Sequence, residues 1–329
     1  MLIRMVPEAI RITARVGETA DDVLRQLPPC VDAFAFHLDM TSTVRMPSDR
    51  EALIRSLTGR GVVVLNGGVT DISKAYVQAQ CRAFGLPSAV ADLRGDPSEQ
   101  MIVKTNLNFG GRGERELAGP DLAAIGSPPL SSVMSDWLGY QVMRRAEVPV
   151  SWWDDPTLAI ERFIDNRSHH LYRVNFVGDR AVILRLTNPH PIKKIMTSTA
   201  RLDVYCRLDA LRCGSVAGID PSVARTTAQY IDRSGMDFGA IEVIPDDAGR
   251  AFVIDVNSTC YGAIMNVRIL AYLRRGLYAL IAARAAQLGR RVPLGHIVDA
   301  LPTWRMLAGD ARRIVTGLAA RRAQGTNPG

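Results

Sequence analysis

Long apolar runs are missing from this 329-residue chain. The longest uninterrupted stretches are far too short to cross a bilayer, so no transmembrane helix is expected. Cysteine is scarce: Cys30, Cys81, Cys206, Cys213 and Cys260 are scattered without a CxxC spacing. An odd, sparse set of this kind favours reduced thiols and a cytoplasmic location. The opening MLIRMVPEAIRITARVG breaks its apolar residues with charges and a proline, and a secretory signal is not expected there. His169, His170 and His190 come without HExxH or CxxH spacing, so they read as loop or surface histidines and not as a transition-metal site. No Gly-Lys pair occurs, which excludes a P-loop, and no GxGxxG opens a helix, which excludes a dinucleotide fingerprint.

What is present is a chain with 47% apolar residues, too many for a mostly disordered protein. Its length suffices for two or three compact units. The net charge of +7 is unevenly placed. Residues 268–322 hold eleven arginines against Asp299 and Asp310, a local balance of +9, so the remainder carries −2. That segment faces an acidic partner, nucleic acid or a membrane surface, or its arginines line the wet side of terminal helices.

Taken in order, the first sixty residues read as a small α/β unit. Residues 33–38 are strand-like. Ser48 and Glu51 form a capping-box pattern for a helix from Asp49 to Leu57. Residues 62–65 form a buried-type strand, and Asp71 to Phe84 form a helix closed by Gly85. Lys74 lies in the first turn of that helix, where the macrodipole disfavours a cation, so it invites an anionic partner. The next strand, QMIVK, delivers Lys104 into TNLNFGGRGERE. Gly110, Gly111 and Gly113 allow backbone N–H groups to approach phosphate oxygens, and Lys104 adds a point charge; an ordinary hairpin turn is the alternative.

Residues 118–129 read as a loop and Ser131 to Arg145 as a helix. TLAIERFI is a strand, and LYRVNFV and RAVILRL form a hairpin around Gly178-Asp179. Arg173 and Arg185 interrupt its apolar strands, which calls for a phosphate or a carboxylate partner. Residues 188–199 read as a mobile, lysine-bearing loop, and Pro221 to Arg233 as a helix. Residues 270–281 and 297–322 show helical patterns.

The stretch MDFGAIEVIPDDAGRAFVIDVN, residues 236–257, organises the rest. Two apolar runs flank a turn-forming Pro-Asp-Asp-Ala-Gly cluster, interrupted only by Glu242, Asp255 and Asn257. Acids in buried-type strands are costly unless paired or bound to a cation. Side chains alternate faces along a strand, so Asp255 and Asn257 share a face that Glu242 can oppose. Three such oxygens suit a hard ion such as Mg²⁺; strand-end acids capped by water or arginine are the alternative.

These parts, in this order from about Gly61 to Gly262, resemble the ATP-grasp superfamily, in particular its RimK-like carboxylate–amine ligase branch. VVVLN followed by Ser73-Lys74 resembles the end of the family's pre-ATP unit, and MIVKTNLNFGGRGE its strand lysine and glycine-rich flap. IERFI resembles the hinge between the lobes, YRVNFVGDRAVILRL the following hairpin, and FGAIEVIPDDAGRAFVIDVN the metal hairpin. Cys260 stands where the family usually has a nearby proline, and Asn106 and Asn108 are departures in the flap.

The resemblance implies an α/β (α+β) ATP-grasp fold. A pre-ATP unit would occupy residues 1–92, a small lobe 93–165, a large lobe 166–267 and a helical segment 268–329. It implies ATP and Mg²⁺ as cofactors, one ion or two, with Mn²⁺ as a substitute. Glu242, Asp255 and Asn257 would be the metal ligands. Lys74, Lys104, Gly110, Gly111 and Gly113 would meet the phosphates. The backbone from Glu161 through Arg162 and Phe163 to Ile164 would meet adenine, with Asp165 or a neighbour near the ribose. Arg173, Arg185 and Lys104 would act on the γ-phosphate or an acyl-phosphate, and loop 105–115 would close over the site. The implied activity is an ATP-dependent ligase that joins a small-molecule or peptide carboxylate to an amine or thiol acceptor. A kinase acting on a hydroxyl, a non-catalytic module for ATP or an acidic macromolecule, and a homo-oligomer stay open beside it.

Overall fold

The period-two runs assemble into three separate sheets in the computed structural model of the protein. It describes residues 5–291 apart from 7–8, 38–39, 44, 118, 128, 135–138, 194–197 and 261–265. Residues Met1–Arg290 form one compact unit. The helical pattern expected over 297–322 lies outside the described residues.

The N-terminal part joins α1 (Ala20–Gln26), β1 (Ala33–Ala35), α2 (Arg50–Gly59) and β2 (Val63–Leu65), with β1 and β2 parallel. Leu53 and Leu57 on α2 bury against Val23, Phe36 and Val62. The capping box expected at Ser48 does not form. Asp49 is the N-cap residue, and its side chain makes no cap bond. Its Oδ1 instead accepts the Ala20 N–H of α1 at 2.5 Å, and Ser48 Oγ donates to Glu18 O. Two helix starts compete for one carboxylate, and the unpaired amide of α1 wins. Arg50 is buried against the Phe36 ring, 3.9 Å from its centroid. Its guanidinium donates to Thr43 Oγ1 and to the carbonyls of Asn66, Gly67 and Val69. It thereby holds the turn leading to α3 (Lys74–Ala83), whose N-cap is Ser73. Burial pushes the Arg50 pKa down to about 10.

The three-stranded sheet has β3 (Gln100–Thr105) between β4 (Gln141–Arg144) and β5 (Leu158–Arg162), all antiparallel. The helix expected over Ser131–Arg145 is corrected here: Gln141–Arg144 is a strand. Pairing with the free edge of β3 satisfies backbone groups that a helix would have left exposed on that edge. The stretch 118–129, read as loop, contains the short helix α4 (Gly119–Ile125), and α5 (Val150–Trp153) precedes β5.

The five-stranded antiparallel sheet runs β10-β9-β6-β7-β8. It consists of β6 (His170–Val177), β7 (Arg180–Thr187), β8 (Ala200–Arg207), β9 (Phe238–Pro245) and β10 (Ala251–Asn257). Both hairpins lie where the sequence pattern puts them. Strand β8 went unnoticed because ARLDVYCR is an exposed, charged edge strand without an apolar stripe. Following it are α6 (Leu208–Arg212) and α7 (Pro221–Ser234). One face of the sheet (Tyr172, Val174, Phe176, Ile183, Ile241 and Val243) packs on α7 and on Val77 and Cys81 of α3. Helix α8 (Val267–Gln287) packs on β6 and β7, and at Gly276 it comes so close to Val177 O that a side chain has no room. No helix among the described residues is long and apolar enough to cross a membrane.

Candidate functional site

Strand pairing decides which side chains can meet. Across the five-stranded sheet, Arg173 of β6 lies opposite Glu242 of β9, and Glu242 lies opposite Asp255 of β10. The last pairing depends on a β-bulge between Val253 and Asp255. Val253 pairs with Val243 on the core face, so in a regular register, with Ile254 opposite Glu242, Asp255 would pair with Ile241 on that same apolar face. The bulge turns Asp255 to the Glu242 side, a known use of such irregularities beside sites. Arg173 Nη1 donates to Glu242 Oε1 at 2.6 Å, with both side chains largely buried. This is the structural salt bridge anticipated as the alternative to a phosphate partner.

On the three-stranded sheet, Ile102 pairs with Glu161 and Lys104 with Ala159, so Lys104 and Glu161 are diagonal neighbours on one face. Lys104 Nζ donates to Glu161 Oε2 at 2.5 Å inside the protein. The other oxygen, Glu161 Oε1, is buried and has no hydrogen-bond partner among the described residues. Lys74, the first residue of α3, is 2% exposed. Its Nζ donates to Leu107 O at 2.7 Å and stands 5.9 Å from the Tyr140 ring centroid.

All these groups but Arg173 line one cavity of about 270 Å³ between the two sheets. Its wall is apolar at Ile102, Phe163, Ile164, Ile192, Ile244 and Ile254, and charged at Lys74, Lys104, Glu161, Arg162, Glu242, Asp255 and Lys193. Burial lowers the Lys193 pKa, and its Nζ donates to Asn188 O at 2.7 Å. With Arg173 behind Glu242, five cationic residues gather around three carboxylates. A compact mixture of that kind suits a polyanion with a cation better than either alone.

The expected site residues divide accordingly. Lys74, Lys104, Glu161, Arg162, Phe163, Ile164, Glu242 and Asp255 come together around the cavity. Asp165 does not line it; its carbonyl accepts the Asp247 N–H, and Asn166 takes the place at the wall. Asn257 pairs with Ala240, one step along the sheet, and does not line the cavity either. Arg185 is corrected: it pairs with Tyr172 and therefore points to the face opposite Arg173, where its Nη1 donates to Gly218 O at 2.9 Å. The two arginines are an even number of residues apart, but the intervening turn reverses the chain and puts them on opposite faces.

Gly110, Gly111 and Gly113 are also absent from the cavity wall. Their segment packs on residues 41–43 and 73–75. Asn106 O and Oδ1 accept the Lys74 and Ala75 N–H groups, and the Asn108 N–H donates to Thr41 Oγ1. Gly110 and Gly111 have φ of 70° and 73°, and a Cβ on Gly111 would sit 2.6 Å from Leu107 Cδ1. The glycines are required by this tight left-handed course.

Sequence reasoning missed Ile102, Tyr140, Asn166, His169, Ile192, Lys193, Ile244 and Ile254 as wall residues. Ile244 and Ile254 carried a usable signal, since they flank the turn of the hairpin that bears the acids. Tyr140 was hidden by the mistaken helix. Cys260 is buried, its thiol donating to Gly239 O and Phe176 O, and burial pushes its pKa up to about 12, so it is no nucleophile.

For a divalent cation, the described residues hold no cluster of three His, Cys, Asp or Glu side chains. The directly opposed carboxylates of Glu242 and Asp255 nevertheless fit Mg²⁺, which commonly takes one or two protein carboxylates and completes its shell with phosphate oxygens and water.

Comparison with known proteins finds no matching family model and no matching curated protein. Several solved structures are similar. One is the ATP-grasp ligase PsnB complexed with a phosphomimetic variant of minimal precursor, Mg and ADP. It is 12% identical over 72% of this chain, with a TM-score of 0.40, and the chain spans 66% of that ligase, just under two thirds. D-cycloserine synthetase DcsG aligns over 78% of this chain and 84% of its own, at 13% identity and a TM-score of 0.41. D-alanine--D-alanine ligase from Bacillus anthracis aligns over 82% and 81%, at 12% identity and a TM-score of 0.39. At this identity and overlap the likeness is recorded as such, and the chemistry is read from the cavity's own residues.

Proposed function

We propose that this protein binds ATP with Mg²⁺ in the cavity between its two larger sheets. It would use that ATP to activate a carboxylate for attack by an amine. The observation that carries this reading is the make-up of one cavity. An apolar slot wide enough for a base is continuous with lysines and with two directly opposed carboxylates.

Each part has a physical role. Ile102, Ile164, Ile244 and Ile254 would cover the faces of a purine, where burial of apolar area favours binding. Glu161 Oε1, buried and without a hydrogen-bond partner among the described residues, would accept an N–H of the adenine amino group; a carbonyl in its place would be repelled. Lys104, fixed by Glu161, and Lys74, on the first turn of α3, would hold phosphate oxygens as point charges. Glu242 and Asp255 would hold a metal ion, which would supply neutralisation of phosphate charge. Arg173 stands beside Glu242 and would stabilise charge on the transferred phosphoryl group.

The carboxylate oxygen would attack the γ-phosphorus, breaking its bond to ADP and forming an acyl-phosphate. The amine nitrogen would then attack the acyl carbon, forming the C–N bond and expelling phosphate while the nitrogen loses a proton to solvent or base. Water competes for the same acyl carbon, so the reading requires segment 105–115 to leave its packing on residues 41–43 and cover the site during turnover. We infer a cytoplasmic location from the sparse free thiols, and Mg²⁺ and a RimK-like branch from the order of the motifs.

The test is ADP release measured against panels of carboxylates and amines, with product mass analysis. A new amide accompanied by ADP, lost in Lys104→Ala and Asp255→Ala, is expected. A phosphorylated acceptor without an amide, or full activity in both variants, contradicts the reading.

A further inference from the structure

Outside the nucleotide cavity, an unusual pair of side chains lies where the glycine-rich segment meets residues 41–43. Glu114 is fully buried, at 0% exposure. Its Oε1 accepts the Thr41 N–H at 2.6 Å, and its Oε2 has no hydrogen-bond partner among the described residues. Asn108 is buried too, its backbone N–H donating to Thr41 Oγ1 at 2.7 Å. Its Oδ1 likewise has no hydrogen-bond partner among the described residues. Arg115, next in the chain, does not serve the acid, for its guanidinium reaches back to Gly110 O.

An interior carboxylate is costly unless a cation or several donors meet it. Glu114 Oε1 and the Asn108 N–H are tied to one threonine, which sets both residues beside Thr41 although they come from different turns of the segment. Their remaining oxygens, Glu114 Oε2 and Asn108 Oδ1, present lone pairs that no donor among the described residues meets. A ligand for such a place must bring positive charge and donors or open coordination positions, and it must be small, because Thr41 is 1% exposed. One carboxylate balances one positive charge, so a monovalent ion suits this interior position, where a divalent ion would leave a net charge inside the protein.

We propose that Glu114 and Asn108 form a binding site for a small monovalent cation stripped of water. This could be the primary ammonium head of a substrate or an inorganic ion such as K⁺. Entry requires the segment to lift from residues 41–43, so occupancy would couple the position of the glycine-rich segment to the presence of the cation. The site does not line the nucleotide cavity, and the proposal stands whether or not ATP is the nucleotide.

The test uses the full chain and its thermal midpoint in about 100 mM methylammonium chloride, potassium chloride or choline chloride, where choline is too large to enter. Wild type is expected to gain about 2 °C or more over choline in at least one of the small cations. Glu114→Gln, which keeps the Thr41 bond and removes the charge, should lose that gain, and Asn108→Leu should reduce it. A gain with methylammonium alone assigns the site to a substrate ammonium group, and a gain with potassium alone to an inorganic ion. No cation-specific gain in wild type, or a gain that survives in Glu114→Gln, overturns the proposal. Binding of a non-hydrolysable ATP analogue is measured on wild type in parallel; its absence would count against the nucleotide reading and leave the cation site standing.

Discussion

The two walls of the cavity each carry an ion pair, and the pairs differ in kind. On the three-stranded sheet, Lys104 and Glu161 are 7% and 2% exposed and face apolar neighbours. On the five-stranded sheet, Arg173 and Glu242 are 12% and 6% exposed, with a second carboxylate, Asp255, directly across from Glu242. The first pair is closed: each charge answers the other, leaving one carboxylate oxygen for a neutral donor. The second adds a carboxylate, and a bulged strand aims that carboxylate at the cavity. A closed pair fixes geometry, whereas two opposed carboxylates at a cavity wall are suited to take up a cation when one arrives.

Breaking the closed pair should have the largest effect. Glu161→Ala leaves Lys104 as a buried, unanswered cation and should cost about 3–5 kcal/mol in urea unfolding, with loss of ATP-analogue binding. The double variant Lys104→Met, Glu161→Met should recover most of that stability and still bind no analogue. Recovery of binding as well would show that the pair is only structural.

The wall with two opposed carboxylates should respond in function more than in stability. Glu242→Gln removes one of the two opposed charges, so Mg²⁺ should enhance analogue binding less than in wild type in calorimetry. Arg173→Met should lower kcat by about 10²–10³-fold while changing the KM for ATP little, as expected for a group that acts on developing charge.

The smallest effect concerns His170 at the start of β6, where burial, followed by the nearby positive charge of Arg185, lowers its pKa below the ordinary 6.5. The unfolded chain then binds a proton more readily than the folded one, so stability is full above pH 6.5 and falls as pH drops towards the lowered folded value. Unfolding free energies at pH 7.5 and 5.5 should show a slight loss at the lower pH that His170→Asn removes.

Much of this was legible beforehand. The two hairpins announced themselves through turn chemistry and alternation, and the cost of burying acids singled out Glu242 and Asp255. The register that joins them was not legible, because a one-residue bulge leaves no mark in an apolar strand. Arg173 and Arg185 looked equivalent because sequence spacing does not count the turn between their strands. Strand β4 was taken for helix, since the four residues from Gln141 have no pattern of their own and are strand only because β3 offers an edge. The glycine-rich segment was read from its composition as a phosphate flap. Its observed course over residues 41–43 is set by Thr41, Asn108 and Glu114, contacts far apart in sequence.

The central claim is that a divalent cation on the opposed carboxylates helps to hold a nucleotide triphosphate. Calorimetric titration of a non-hydrolysable ATP analogue, with and without Mg²⁺, into wild type and Asp255→Ala tests it directly. Binding about tenfold or more tighter with Mg²⁺ in wild type, and insensitive to Mg²⁺ in Asp255→Ala, is predicted. Equal Mg²⁺ enhancement in the two proteins, or no analogue binding by wild type under either condition, would contradict it.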